Sequence, residues 1–288
     1  MGHHLFSGLA RTPRFKLVIA YLGDSAGGGG AVGVAPGSID EIAEATLNAS
    51  EEGLQRAKTD EGPAYCVFLM TQVVRAARED DFIAALSSAG VPVPSAIAGL
   101  AAETAPLAPG VTEYTIYDLV SGFSAAVDKH LRTTRSRNDI SELAQLAASE
   151  SLTGLCRPKS ATLFGSTEAT VQQSLRALST KDGFATLAHD FFARLTRRYL
   201  EYHLSRELSN HVGLGRRFAN AAEHNEFLRQ LDTHCRVATG PVRQFAGEWY
   251  SKHGFQQDLT LRKTRGFTAH AIDKVQGALR HQEERGGN

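Results

Sequence analysis

Residues 184–211 contain neither glycine nor proline, and Leu187, Phe191, Leu195, Leu200, Leu204 and Leu208 recur along them at spacings of four or five. Apolar residues three to four apart mark one face of an α-helix, and a stripe that drifts slowly round the axis needs more than one neighbour to cover it. A chain carrying Phe184 to His211 as its longest helix must therefore supply several others to pack on it.

That supply is visible on both sides. Tyr114 to Leu131 places Ile116, Leu119, Val120, Phe123 and Val127 at helical spacing, and Asp139 to Leu155 does the same with Ile140, Leu143, Leu146 and Ala147. Thr167 to Leu178 reads as a shorter helix. Ala219 to Val237 carries Ala221, Leu228, Leu231 and Cys235 and stops at Gly240, after which Pro241, tolerated in a first turn, opens a further helix with Phe245 and Trp249. The alternation in "DLTLRK" predicts a lone edge strand, and Thr268 to Glu284 closes the chain as an amphipathic helix on Ala271, Ile272, Val275 and Leu279.

The first ninety residues read differently. "KLVIAYL", Lys16 to Leu22, is a short apolar run with β-branched members and predicts a buried strand, followed by a glycine-rich loop over 23–37. Ser38 and Glu41 then have capping-box spacing at the head of a helix carrying Ile39, Ile42, Ala43 and Leu47. Ala64 to Ala77 is apolar nearly all round, broken by Gln72 and Arg75, and predicts a buried helix or a strand running into one. "DDFIAALSSAG" is a short helix ending at Gly90, and Pro92, Pro94, Pro106 and Pro109 then punctuate the chain. The expected architecture is mainly α: a small strand-bearing N-terminal region (1–90), a Pro/Ala-rich linker (91–112) and a bundle-like helical domain (113–288).

Composition narrows the class. No stretch approaches the roughly 18 uninterrupted apolar residues of a membrane helix, so no membrane partner is expected. "MGHHLF" lacks the basic-then-apolar order of a secretion signal, and Phe6 stands where a myristoylation motif needs a hydroxyl. Cys66, Cys156 and Cys235 are odd in number and far apart, which suits a reducing cytoplasmic compartment and offers neither a disulfide framework nor a zinc signature. The bias of Arg over Lys, with abundant Ala and Gly, fits a bacterial gene of high GC content.

Motifs that could carry chemistry are few. Gly23 to Gly28, "GDSAGG", contains Gly-x-Ser-x-Gly after the expected strand and resembles the nucleophile motif of hormone-sensitive-lipase-like esterases. That resemblance, over six residues, implies Ser25 as nucleophile and the Ala26 amide in an oxyanion hole. A nucleophile elbow continues into a helix, whereas Gly27 to Gly30, Gly33, Pro36 and Gly37 disfavour one, each helical Gly costing about 1 kcal/mol against Ala. No His-Gly-Gly oxyanion motif occurs, and the acid and base must be nominated from Asp118 with His130 or Asp258 with His270. Ser25 is thus the runner-up catalytic residue and the first expectation is a non-enzyme. Gly28-x-Gly30-x-x-Gly33 has dinucleotide spacing, but Pro36 and a helix follow where a strand ending in an acid is required; no Lys completes a P-loop, and no cofactor is expected. His203, Glu207 and His211 at i, i+4 and i+8 form a helical row that is the runner-up metal site, with no second cluster of metal spacing to supply a third ligand.

Charge is the most informative global feature. The formal net charge is zero, yet residues 1–150 carry −7 and residues 151–288 carry +7. Eight of the eleven His also lie beyond residue 180. Arg suits bidentate phosphate contact, and Arg194, Arg197, Arg198, Arg216, Arg217, Arg262, Lys263 and Arg265 are the candidate nucleic-acid-binding set. The simpler account is that the acidic and basic parts neutralise each other, within a molecule or between protomers. The expected function is a non-catalytic helical subunit or adaptor that docks a protein partner, or a further copy of itself, through a charged helical surface. A nucleic-acid-binding accessory protein and a Ser25 hydrolase are the alternatives.

Overall fold

In the computed structural model the residues described are Val18, Leu22, 38–49, 51–94, 114–156, 168–214 and 216–281. Among them the fold is mainly helical: α1 (Ile39–Ala49), α2 (Glu51–Thr59), α3 (Glu61–Ala76), α4 (Phe82–Ser88), α5 (Ile116–Thr133), α6 (Asp139–Leu155), α7 (Glu168–Leu178), α8 (Lys181–Leu208), α9 (Ala221–Ala238), α10 (Gly240–Phe255) and α11 (Leu261–His281), with a 3-10 turn at Ser209–His211. No helix among the described residues is long and apolar enough to cross a membrane.

The strand-bearing N-terminal region is a correction. The described residues contain no strand, and the Leu22 N–H donates to the Val18 carbonyl at 3.0 Å, the i to i+4 step of a helical turn. Of Lys16 to Leu22 only these two residues are described, the rest of the expected strand lying outside the described residues, and a run of this length does not by itself separate a strand from a turn of buried helix. "DLTLRK" is also helical from Leu261. Thr260 Oγ1 accepts from the Lys263 N–H at 3.4 Å and its carbonyl from the Thr264 N–H at 3.0 Å, so Thr260 starts the closing helix seven residues before the expected start.

Side-chain caps fix the helix starts elsewhere. Ser38 and Glu41 form the expected capping box, with the Ser38 N–H on Glu41 Oε2 at 2.5 Å and the Glu41 N–H on Ser38 Oγ at 3.3 Å. Thr115 with Asp118 and Asn138 with Ser141 do the same for α5 and α6, and Asn220 Oδ1 accepts from the Ala222 and Glu223 N–H groups at the head of α9.

The chain divides into two compact units. One comprises Met1–Thr59, Phe192–Pro241 and Ala269–Asn288, the other Asp60–Phe191 and Val242–Thr268. In the first, α1 packs on α9, and Ile42 and Ala43 of α1 and Phe227 and Leu231 of α9 are buried. Lys58 pairs with Asp273, and Arg197, Glu201, Asp232 and Arg236 join α8 to α9 in a chain of ion pairs. Helices from both sides of the expected linker, α3 and α4 before it and α5 to α7 after it, belong to the second unit, while residues 95–112 of the linker lie outside the described residues.

At the centre of the second unit is α3, packed on α4, α5, α6 and α7, with Cys66, Val67, Leu69, Met70, Val73 and Val74 fully buried. The buried face of α6 carries Ile140 and Leu152 near its ends and small residues, Ser141, Ala144, Ala147, Ala148 and Ser151, between them, and Leu146 is left 49% exposed. Of the expected stripe Ile140 and Ala147 are buried, while Leu143 is half-buried and Leu146 turns outward, because small side chains admit the closest approach of the two backbones. A Cβ at Gly62 would lie 2.4 Å from the Ser141 Cα, so only glycine fits where the first turn of α3 meets α6. Gly62→Ala should therefore lower stability by about 1–3 kcal/mol in urea unfolding, because the backbone of α6 must move. Gly277→Ala, with open space around its Cβ position on α11, should leave stability unchanged or raise it by up to about 1 kcal/mol.

Candidate functional site

A buried helix keeps its charges at its ends, and α3 does so. Its first turn carries Asp60 and Glu61, its last Arg75 and just beyond it Arg78. At the first end, Asp60 caps the helix by accepting from the Gly62 N–H at 2.8 Å and takes a second bond from Asn138 Nδ2 at 2.5 Å. Burial nevertheless holds the Asp60 carboxyl above its usual range, with neighbouring Glu61 adding to the effect against those two bonds. Glu61, only 13% exposed, accepts two bonds from Arg265 Nη2 at 2.8 Å and one from Nε at 3.1 Å, and meets His130 Nε2 at 2.8 Å. The His130 ring lies flat on Tyr65, centroids 3.7 Å apart. Burial would raise the Glu61 carboxyl, but His130 and Arg265 together outweigh it and hold it below its ordinary value.

The other end of α3 opens into a cleft of about 390 Å³. The carbonyls at the cap and just beyond it are met from α7: Arg176 Nε donates to the Ala77 carbonyl at 2.5 Å, and Gln172 Nε2 to those of Ala77 at 3.3 Å and Glu79 at 2.9 Å. Arg78 reaches across to the α7–α8 corner, its Nε on Ser179 Oγ at 2.9 Å and Nη2 on the Ser179 carbonyl. Thr180 caps α8, accepting from the Gly183 N–H at 3.0 Å, so the positive end of the α8 dipole and Lys181 face the same space. Lys181 is tied to Glu248.

The far wall is α10. Tyr250 is 4% exposed, its ring stacked on Phe184 at 4.3 Å, and burial pushes its phenol up against the pull of Arg78 and Arg75. The hydroxyl therefore stays protonated and able to donate at neutral pH. A Cβ at Gly247 would lie 2.7 Å from the Lys181 carbonyl, so glycine lets α10 close on the start of α8. Phe255, at the end of α10, stands at the rim 92% exposed. With Lys181 already paired to Glu248, Arg75 and Arg78 share the lining with one carboxylate, Glu79; the Arg78 side chain binds only neutral Ser179 groups, and the Arg75 side chain makes no hydrogen bond or ion pair among the described residues.

The residues nominated from sequence lie elsewhere. Ser25 and the whole glycine loop fall outside the described residues. Asp118 is used in the capping box of α5, His130 bonds to Glu61, and Asp258 is held by His253 Nδ1 at 2.6 Å and by Lys263 at 3.4 Å, so both nominated acids are engaged by groups other than the His named with them. The α-helix ends at Leu208, which puts His211 in a 3-10 turn and off the helical row of His203 and Glu207. His203 is buried with Tyr199 and Tyr202 edge-on to its ring, and no three metal-ligating groups gather among the described residues. The side chain of Glu207 lies outside the described set.

Of the basic set, Arg197 is paired with Glu201 and Asp232, Arg265 with Glu61 and Lys263 with Asp258. Arg217 lies 5.8 Å over the Phe218 ring, and burial lowers its guanidinium against the opposing effect of Glu41. Arg194 and Arg198 are half-buried on α8, whereas Arg216 and Arg262 are exposed. All three cysteines are buried and free, the thiol of Cys156 pushed up by burial to about 12. Sequence reasoning passed over Arg75, Arg78, Lys181 and Tyr250. The available signal was Arg75 itself, a cation inside a helix otherwise apolar all round, which must reach solvent at a helix end.

No protein family, curated protein or solved structure matches this chain. The two ends of α3 therefore rest on their own chemistry.

Glu61→Gln should lower stability by about 1–2 kcal/mol near neutral pH, toward the low end of a charge-assisted network because Arg265 is half exposed. With a folded pKa below the ordinary 4.5, Glu61 contributes fully above about pH 4.5 and its contribution is lost as pH falls through the folded value. Urea unfolding at stepped pH should show the wild type and the variant converging in that acidic window. Asp60 acts in the opposite sense, its cost easing as it protonates.

Proposed function

We propose that the chain is a non-catalytic helical docking subunit, an adaptor that takes a protein partner at the cleft beyond the last turn of α3. The observation that supports this most directly is Phe255, a large aromatic side chain 92% exposed at the rim of a cleft lined by three cations. Aromatic and Arg side chains together are the residues on which binding energy concentrates at protein interfaces, and an exposed Phe otherwise has little to offset its contact with water. The cleft is also pre-formed. Arg78 is braced by Ser179 and Tyr250 by Phe184, so neither has to be ordered when a partner arrives.

The nucleic-acid reading draws less support, since Arg197, Lys263 and Arg265 already have carboxylate partners. The test is purification from the cells of origin. Wild-type protein should carry a stoichiometric protein companion, reduced at least about tenfold by Phe255→Ala and by Arg75→Glu, a loss of about 1.4 kcal/mol or more, and unchanged by Arg262→Glu. A bound oligonucleotide lost on reversing Arg194, Arg197, Arg198, Arg216, Arg217, Arg262, Lys263 and Arg265 to Glu would overturn the reading. So would fluorophosphonate labelling that disappears in Ser25→Ala.

A further inference from the structure

We propose that the cleft beyond the end of α3 is a phosphoryl-group site, taking the phosphate monoester of a phosphorylated side chain on the docked partner; this rests on the docking reading above. The argument is one of charge and donor count. Arg75 and Arg78 are two guanidinium charges with no carboxylate on them among the described residues. A carboxylate brings a single negative charge and two oxygens, which one guanidinium fork satisfies. A phosphate monoester near neutral pH brings close to two charges and three terminal oxygens, matching both arginines. Arg75 offers all five of its N–H donors, and Arg78, braced through Nε and one terminal nitrogen on Ser179, still offers the other terminal nitrogen. Tyr250 adds a neutral hydroxyl donor, and the first turn of α8 adds the positive end of its dipole.

The space agrees with an esterified phosphate. About 390 Å³ is far more than inorganic phosphate fills, and leaves room for the side chain that bears it. Glu79, also in the lining, repels an anion and so favours its close pairing with the two guanidinium groups, while exposed Phe255 offers an apolar surface to the rest of the bound segment.

The measurement is titration of ¹⁵N-labelled full-length protein with phenyl phosphate, inorganic phosphate and benzoate, read at the arginine Nε–H resonances. Phenyl phosphate should shift Arg75 and Arg78 saturably, at least about fivefold more tightly than inorganic phosphate and tenfold more tightly than benzoate. Its affinity should rise severalfold from pH 5.5 to 7.5 as the dianion forms. Arg75→Gln should abolish the shifts. Tyr250→Phe, which keeps the stacked ring, should weaken binding severalfold and serves if the Arg75 variant does not fold. Equal binding of benzoate and phenyl phosphate, or saturable shifts that survive Arg75→Gln in a folded variant, overturns the phosphoryl assignment. If the companion protein needs Arg75 while phenyl phosphate shows no preference, the assignment fails and docking stands. If phenyl phosphate binds as described while the companion ignores Arg75→Glu, the cleft is a phosphate site for another ligand and both readings fail as stated.

Discussion

The second unit depends on burying α3 from every side. A helix with Cys66, Val67, Leu69, Met70, Val73 and Val74 all out of contact with water cannot be covered by one neighbour, and four helices are recruited to it. That demand explains the composition of α6, whose inward face of Ala and Ser brings its backbone close enough for Gly62 to meet Ser141. Tight covering removes apolar surface at roughly 25 cal/mol per Å², and it also forbids any polar group along the middle of the helix unless that group is bonded locally. Thr71 meets the condition, its hydroxyl donating to the Phe68 carbonyl at 2.6 Å.

Everything charged is thereby driven to the ends, and the two ends are treated differently. At the first, carboxylates complement the positive end of the helix dipole and are then matched by Asn138, His130 and Arg265, so the site is closed by the chain's own side chains. At the second, the exposed carbonyls are met by Gln172 and Arg176 from α7, which frees Arg75 and Arg78 from that task. The same covering that seals one end leaves two guanidinium groups at the other without a carboxylate among the described residues. A candidate site therefore appears where the packing problem of the central helix has been solved by neutral partners.

Legibility in the sequence followed the strength of local signals. The helices at Ile116–Thr133, Asp139–Leu155, Glu168–Leu178, Lys181–Leu208, Ala221–Ala238 and Gly240–Phe255 lie within a few residues of their expected spans because three-and-four spacing and Gly or Pro boundaries are local facts. The short runs carry less. "DLTLRK" is too brief to separate period two from period 3.6, and its two alternating leucines hide the cap that Thr260 provides in the structure. The inward face of α6 also misled, since an Ala and Ser stripe carries little hydrophobic signal although it admits the closest packing. The cleft was illegible for another reason. Its residues come from positions 75–79, 179–181 and 250–257, and only the fold brings three such distant segments to one place.

The global charge split likewise points somewhere other than its sum suggested. Basic residues beyond position 150 do meet acidic ones before it, as when Arg265 closes on Glu61, yet Lys263 meets Asp258 and Arg197 meets Asp232 within the same half. Among the described residues these pairs join charges both across and within the two halves, so the −7 and +7 totals do not say which charges meet. Arg75 and Arg78 belong to the acidic half, where a count of charges along the chain gave no reason to look for a cationic site. What distinguishes them is their placement at the exit of a buried helix, with a serine carbonyl and hydroxyl holding one and no bond among the described residues holding the other. Placement of that kind decides which charges are available to a ligand, and net charge does not.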